Sequence, residues 1–233
     1  IAFIALLARY HVQLITHEYP LDYYEASMLV ITSTIAEGSN PFALENQPTR
    51  ISLYPVLYNV LAAALSLIQG NSLPLHRAIS GLFILGTCAI CFILCRHSAG
   101  SRTNSVTADA LVYAALLYYS TPVASPNAMG MFLFIAAVAI PWLAGFSTRS
   151  LVASMLLGLL AFYTKQYFVA SLGYVALYLF LAESKRRGIG FGLAALASFT
   201  VVFALVCYTS PYYLEDAFIA VQSSAAQAAS DEQ

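Results

Sequence analysis

Apolar residues in this chain gather in long unbroken runs instead of alternating, and the runs approach the length of about 20 residues that carries an α-helix across a bilayer core. They fall at roughly 1–16, 77–95, 106–123, 128–145, 150–164, 167–183 and 189–208. The first is short because the chain opens directly in apolar sequence, Ile1 to Leu7, with no initiator Met and no cleavable signal; this reads as a chain cut into its first transmembrane helix. The polar segments between the later runs are brief: Arg96 to Thr107, Ser125 to Asn127, Ser147 to Ser150 and Glu183 to Gly188. None has room for a folded domain, so the pattern predicts an all-α, polytopic transmembrane helical bundle forming one domain over 1–233.

The stretch 17–76 interrupts this rhythm. It opens on His17-Glu18-Tyr19-Pro20-Leu21-Asp22-Tyr23-Tyr24-Glu25, continues as a helix over Tyr23 to Glu37, and turns at Gly38-Ser39-Asn40-Pro41. A polar run, Glu45-Asn46-Gln47-Pro48-Thr49-Arg50, then leads into an apolar helix over Leu53 to Gln69. Pro55 is expected in that helix's first turn, where its missing N–H costs little.

Composition agrees with a hydrocarbon solvent. Sixty per cent of the 233 residues are hydrophobic and 9% charged, against roughly 25% charged in soluble domains, and the mean hydropathy is +0.75. A net charge of −1 with no basic stripe excludes a nucleic-acid footprint. Cys88, Cys91 and Cys95 share one helix face, but structural zinc sites need closing ligands on loops or turns. Among Ile, Phe and Leu these thiols read as apolar packing.

Lys and Arg collect on the cytoplasmic side of membrane proteins. Arg96 with Arg102, Arg149, and Lys185-Arg186-Arg187 occupy alternate connections, which places them on one face, read as cytoplasmic. The side of 17–76 then depends on whether 53–69 crosses the membrane, and the charge count alone allows both.

Candidate chemistry concentrates in that stretch. Asp22 and Glu25 lie three apart at the foot of a helix, which suits two carboxylates on one face and equally suits a capping pattern. Tyr19, Tyr23, Tyr24, Tyr54 and Tyr58 surround them, either as an interfacial belt or as a binding surface. Lys165, in Phe162-Tyr163-Thr164-Lys165-Gln166, is a lone cation between apolar helices. It either snorkels to the interface or meets a partner or substrate.

The order of Leu21-Asp22-Tyr23-Tyr24-Glu25-Ala26, Tyr54-Pro55-Val56-Leu57-Tyr58, Ser125-Pro126-Asn127 and Thr164-Lys165-Gln166 resembles that of GT-C membrane glycosyltransferases. The branch containing bacterial aminoarabinose transferases and protein O-mannosyltransferases is the most similar. The resemblance runs along essentially the whole chain, which would be the N-terminal part of such an enzyme.

It implies juxtamembrane helices in an extracytoplasmic 17–76 loop, with 53–69 not crossing. Asp22, Arg50, Asn127 and Lys165 would then share the extracytoplasmic face of an integral, multi-pass protein of the plasma or inner membrane. The implied activity is sugar transfer from a polyprenyl-phosphate donor to a lipid, glycan or protein acceptor. Asp22 would be the general base and Glu25 would orient hydroxyls. Lys165, assisted by Arg50, would hold the phosphate, while Tyr54 and Tyr58 stack on sugar or line the lipid groove.

Two departures stand out. Tyr23 follows Asp22 where many relatives have adjacent Asp-Glu, and Asn127 stands where relatives often carry Asp. An amide is no base and a poor metal ligand, so no metal or other cofactor is indicated and Asp22 would act largely alone. The turn Ser210-Pro211-Tyr212-Tyr213 and the following helix Leu214 to Val221 would form another outer juxtamembrane element. The competing readings are a transporter or flippase for lipid-linked glycans, though no internal repeat is visible, and a non-catalytic membrane subunit.

Overall fold

The computed structural model describes residues 2–46, 52, 54–118 and 122–219, and every regular element among them is helical. In chain order these are α1 (Ala2–Thr16), α2 (Tyr24–Ala36), α3 (Leu57–Gln69), α4 (Leu73–Ala99), α5 (Arg102–Tyr118), α6 (Asn127–Leu143), α7 (Thr148–Thr164), α8 (Ala170–Tyr178) and α9 (Lys185–Thr209). A 3₁₀ turn, Gln166–Val169, leads into α8, and π turns follow α8 at Leu179–Glu183 and α9 at Glu215–Ile219. Three of the apolar helices, Leu73–Ser98, Gln166–Glu183 and Lys185–Thr209, are long and apolar enough to cross a membrane. The expected spans near 1–16, 128–145 and 150–164 are shorter apolar helices. At 17 residues each, α6 and α7 reach only about 25 Å at 1.5 Å per residue.

Local chemistry sets the boundaries. The Ser72 hydroxyl accepts from Leu75 N at 3.4 Å and Pro74 sits in the first turn of α4, while Gly100 ends that helix at φ 65°. Ser147 caps α7 through Ser150 N. The helix expected over 53–69 starts at Leu57, with Val56 as its N-cap residue. Pro55 therefore precedes the helix instead of lying in its first turn, since Val56, at φ −98° and ψ 12°, lies outside helical geometry. Leu53 lies outside the described residues, as does Arg50.

Helices α4, α6 and α7 pack side by side, with α5 against α4, α1 across α4 and α5, and α8 and α9 flanking α6 and α7. Helices α2 and α3 pair with each other at one end. There Asn59 Nδ2 donates to Met28 O at 3.1 Å and to Thr32 Oγ1 at 3.0 Å, and Asn71 Nδ2 donates to Leu29 O and Ser33 Oγ at 2.8 Å each. A core of Met28, Ile31, Tyr58, Ala62, Leu75, Ile79, Met129, Leu133 and Phe168 ties this pair to the bundle. Cys88 packs with Ile84, Tyr113 and Leu117 between α4 and α5. The segment after α9 docks at the same end as α2 and α3: Asn40 Nδ2 donates to Ser210 Oγ at 3.0 Å, and Phe42 packs edge-on against Tyr213 with ring centroids 5.0 Å apart.

Candidate functional site

Four separate segments meet at that end of the bundle: 19–25, Tyr54, 122–127 and Lys165. Their meeting point is built on a buried charge. Glu25 and Arg77 are both 0% exposed, and the carboxylate is fully engaged. Its Oε1 accepts from Arg77 Nε and from Ala124 N, both at 2.8 Å. Its Oε2 accepts from Arg77 Nη2 at 2.6 Å and from Leu21 N at 2.7 Å. The remaining guanidinium hydrogens go to the carbonyls of Leu14 (3.2 Å), His17 (2.5 Å) and Tyr19 (2.8 Å). Burial by itself would raise the Glu25 pKa, but the Arg77 hydrogen bonds and the two backbone N–H groups outweigh it and hold the carboxyl below its ordinary value. One ion pair thus fixes the exit of α1, the start of α2 and the turn before α6. Ser80 Oγ adds a bond of 2.9 Å to Val123 O in that turn.

Above this node lies a cavity of about 140 Å³ lined by Asp22, Tyr24, Met28, Tyr54, Val123, Ser125, Pro126, Asn127 and Lys165. Asp22 is half-buried. Its Oδ1 accepts from Tyr24 N at 3.0 Å, a helix-start contact, and among the described residues nothing donates to Oδ2. One oxygen thus organises the start of α2, while the side chain lines the cavity.

Lys165 reaches the same space because α7 ends there. The backbone turns extended at Lys165 (φ −159°, ψ 132°) before the 3₁₀ turn begins. Its Nζ donates to Asn127 Oδ1 at 2.9 Å and lies 4.5 Å from the Tyr54 ring centroid and 5.2 Å from that of Tyr167, within cation–π range. Burial lowers the ammonium pKa, and among the described residues no carboxylate bridges to it. The Tyr54 hydroxyl is pushed up by burial and by neighbouring Tyr24.

Of the residues singled out from the sequence, the structure brings Asp22, Tyr54, Asn127 and Lys165 together. Glu25 and Tyr58 lie elsewhere. Glu25 has no oxygen left for a substrate hydroxyl. Tyr58 is 0% exposed, its hydroxyl 3.1 Å from His76 Nδ1 and 3.2 Å from His76 O. Arg50 lies outside the described residues. The sequence reading gives Arg77 no role. A lone arginine in the first turns of an otherwise apolar helix was the available signal, since such a charge needs a buried partner. Tyr24, one of the tyrosines placed around Asp22 from the sequence, and Ser125, of the Ser125-Pro126-Asn127 motif, also line the cavity.

With a carboxylate oxygen that no described residue donates to, a cation, an amide and a tyrosine face around a small polar hollow, the site is equipped to bind an anion and accept a proton. Among the described residues no group of His, Cys, Asp and Glu could hold a metal ion. Compared with protein-family models, with curated proteins and with solved structures, the chain gives no match.

Proposed function

We propose that the chain belongs to a membrane glycosyltransferase of the GT-C type, which moves a sugar from a polyprenyl-phosphate donor to an acceptor nucleophile at the Asp22 end of the bundle. The observation that carries this reading is the convergence of Asp22, Asn127 and Lys165, from three distant segments, on one hollow at the end where the helices meet their longest connection. The hollow is small against the roughly 300–1,000 Å³ of whole-ligand pockets. It suits the reacting centre, phosphate and anomeric carbon, with the rest of the donor beyond its mouth.

In this reading the acceptor oxygen or nitrogen attacks the anomeric carbon as the bond from that carbon to the phosphate oxygen breaks. The nucleophile's proton passes to the free oxygen of Asp22, and polyprenyl phosphate leaves with the electron pair of the broken bond. Lys165 neutralises the leaving phosphate. Its depressed pKa and the lack of a carboxylate partner among the described residues favour this role, because an anion entering the hollow supplies a counter-charge. Tyr54 supplies a face for the sugar. Glu25 and Arg77 act indirectly, by fixing the backbone around Asp22 and Asn127.

The test separates binding from turnover. Lys165→Gln is expected to weaken donor binding by roughly tenfold, the worth of one charge-assisted contact. Asp22→Asn should bind the donor as the wild type does and lose turnover by at least about 100-fold. If both variants bind and turn over like wild type, the proposal fails.

A further inference from the structure

Helix α1 lies on the outside of the bundle, with one face left open by the described residues. Its inner side is fixed at two levels. Arg77 Nη1 donates to Leu14 O at 3.2 Å and to His17 O at 2.5 Å. Farther along, His11 is buried, its Nδ1 2.8 Å from Tyr113 Oη, and its ring lies so close to Gly81 that a Cβ there would stand 3.0 Å from Nε2. Helix α1 therefore runs antiparallel to α4. Its depth can be read against that helix, which over Leu73–Ser98 is long and apolar enough to cross a membrane.

Arg9 comes two residues beyond His11, and at 3.6 residues per turn that rotation puts it on the opposite side of α1. It is exposed, and no described residue bonds to it or pairs with it. At 1.5 Å per residue it lies level with a point about 15 Å from Leu73, on a helix about 39 Å long. In an α-helix each Cα–Cβ bond tilts toward the N-terminus. In α1 that is the deeper direction, which works against snorkelling to the nearer surface. Leu6, Tyr10 and Gln13 share the stripe and surround Arg9 at a surface notch of about 460 Å³.

A charge at such depth is costly without a partner, and Arg77 on α4 has one in Glu25. For Arg9 the chain supplies none. Among α1 and α4 to α9 the one acidic residue is Asp109. It shares the α5 stripe of buried Ser105, Tyr113 and Leu117, and its Oδ1 is buried, so a second copy does not present it to Arg9. Lipid phosphates stay at the surface. Charge complementarity leaves a helix of a different protein, apolar along its length, with one Asp or Glu level with Arg9.

We infer that the stripe of Leu6, Arg9, Tyr10 and Gln13 is an interface for a transmembrane helix of another membrane protein, whose carboxylate pairs with Arg9 within the hydrocarbon. The interface is separate from the Asp22 hollow and does not depend on the function proposed there.

The probe is a leucine-rich transmembrane peptide with one central Asp, compared with the same peptide carrying Leu or Lys at that position. The chain, its four native cysteines replaced by alanine, carries a fluorophore on a single cysteine at exposed Glu18. It is reconstituted in neutral phosphatidylcholine vesicles, and energy transfer to labelled peptide measures association. The Asp peptide should bind about tenfold more tightly than the Leu peptide. Arg9→Leu should remove that difference while leaving binding of the Leu peptide in place, and Arg9→Glu should transfer the preference to the Lys peptide. Equal binding of the Asp and Leu peptides by the wild type would overturn the inference, as would a preference for Asp that survives in Arg9→Leu. Energy transfer between two labelled copies without peptide, lost in Arg9→Leu, would also overturn it by making the occupant a second copy.

Discussion

At the scale of single residues, most of what organises the candidate site passes through Arg77, which binds both oxygens of Glu25 and three backbone carbonyls while wholly buried. Removing one partner of such a pair leaves the other charge uncompensated, at a typical cost of 3–5 kcal/mol, so Arg77→Gln should lose about that much stability. A fall in the melting temperature in detergent, larger than for a change at exposed Arg102, is the check. The pH dependence carries a sign. The folded-state pKa of Glu25 lies below its ordinary value of 4.5, so its stabilisation is complete above that pH and is lost as the pH falls below it. The wild-type melting temperature should be insensitive to Glu25 between pH 7 and 5 and then drop on further acidification. In Arg77→Gln burial dominates, the Glu25 pKa moves up, and acidifying from pH 7 to 5 should raise the melting temperature. A wild-type profile without the acid limb would remove Glu25 from the stability account.

Among the elements, α3 decides how the bundle's ends are arranged. Its 13 residues span about 20 Å at 1.5 Å per residue, against about 30 Å for a bilayer core. It pairs with α2 through Asn59, joined by Asn71 just beyond its end, and both side chains satisfy backbone carbonyls and hydroxyls of that neighbour. An element packed in this way lies at the membrane surface in our account. Single cysteines at the exposed positions Glu18 and Gln69, in a chain whose four native cysteines are alanine, should therefore be labelled by an impermeant maleimide from the same side of a sealed vesicle. Labelling from opposite sides would make α3 a crossing helix.

The helices themselves were legible from apolar run length alone, which is why α4, α8 and α9 appear near their expected positions. The start of α3 was less so, because the pattern of apolar residues continues back through Tyr54-Pro55 while the helical backbone begins only at Leu57. Side-chain direction was the least legible. The resemblance implied site roles for Glu25 and Tyr58, yet Asp22 and Tyr54 lie before the helices that carry those two residues, and the helices turn both side chains into the core. Lys165 and Asn127, distant in sequence, became a pair only through the packing of α6 on α7.

For the molecule as a whole, the two ends of the bundle have opposite chemistry. One holds a small hollow with a carboxylate, an amide and a half-buried cation. The other holds a long apolar groove lined by Trp142, Phe146, Tyr174 and Tyr178. Three helices that run between these ends are long and apolar enough to cross a membrane. The central claim concerns the first of them, and release of polyprenyl phosphate tests it most directly. The protein, reconstituted in liposomes with a panel of polyprenyl-phosphate sugars and acceptors, is compared with Asp22→Asn. The account predicts release from at least one donor, dependent on acceptor, that disappears in the variant. Equal release by both proteins, or none from any donor, would contradict it.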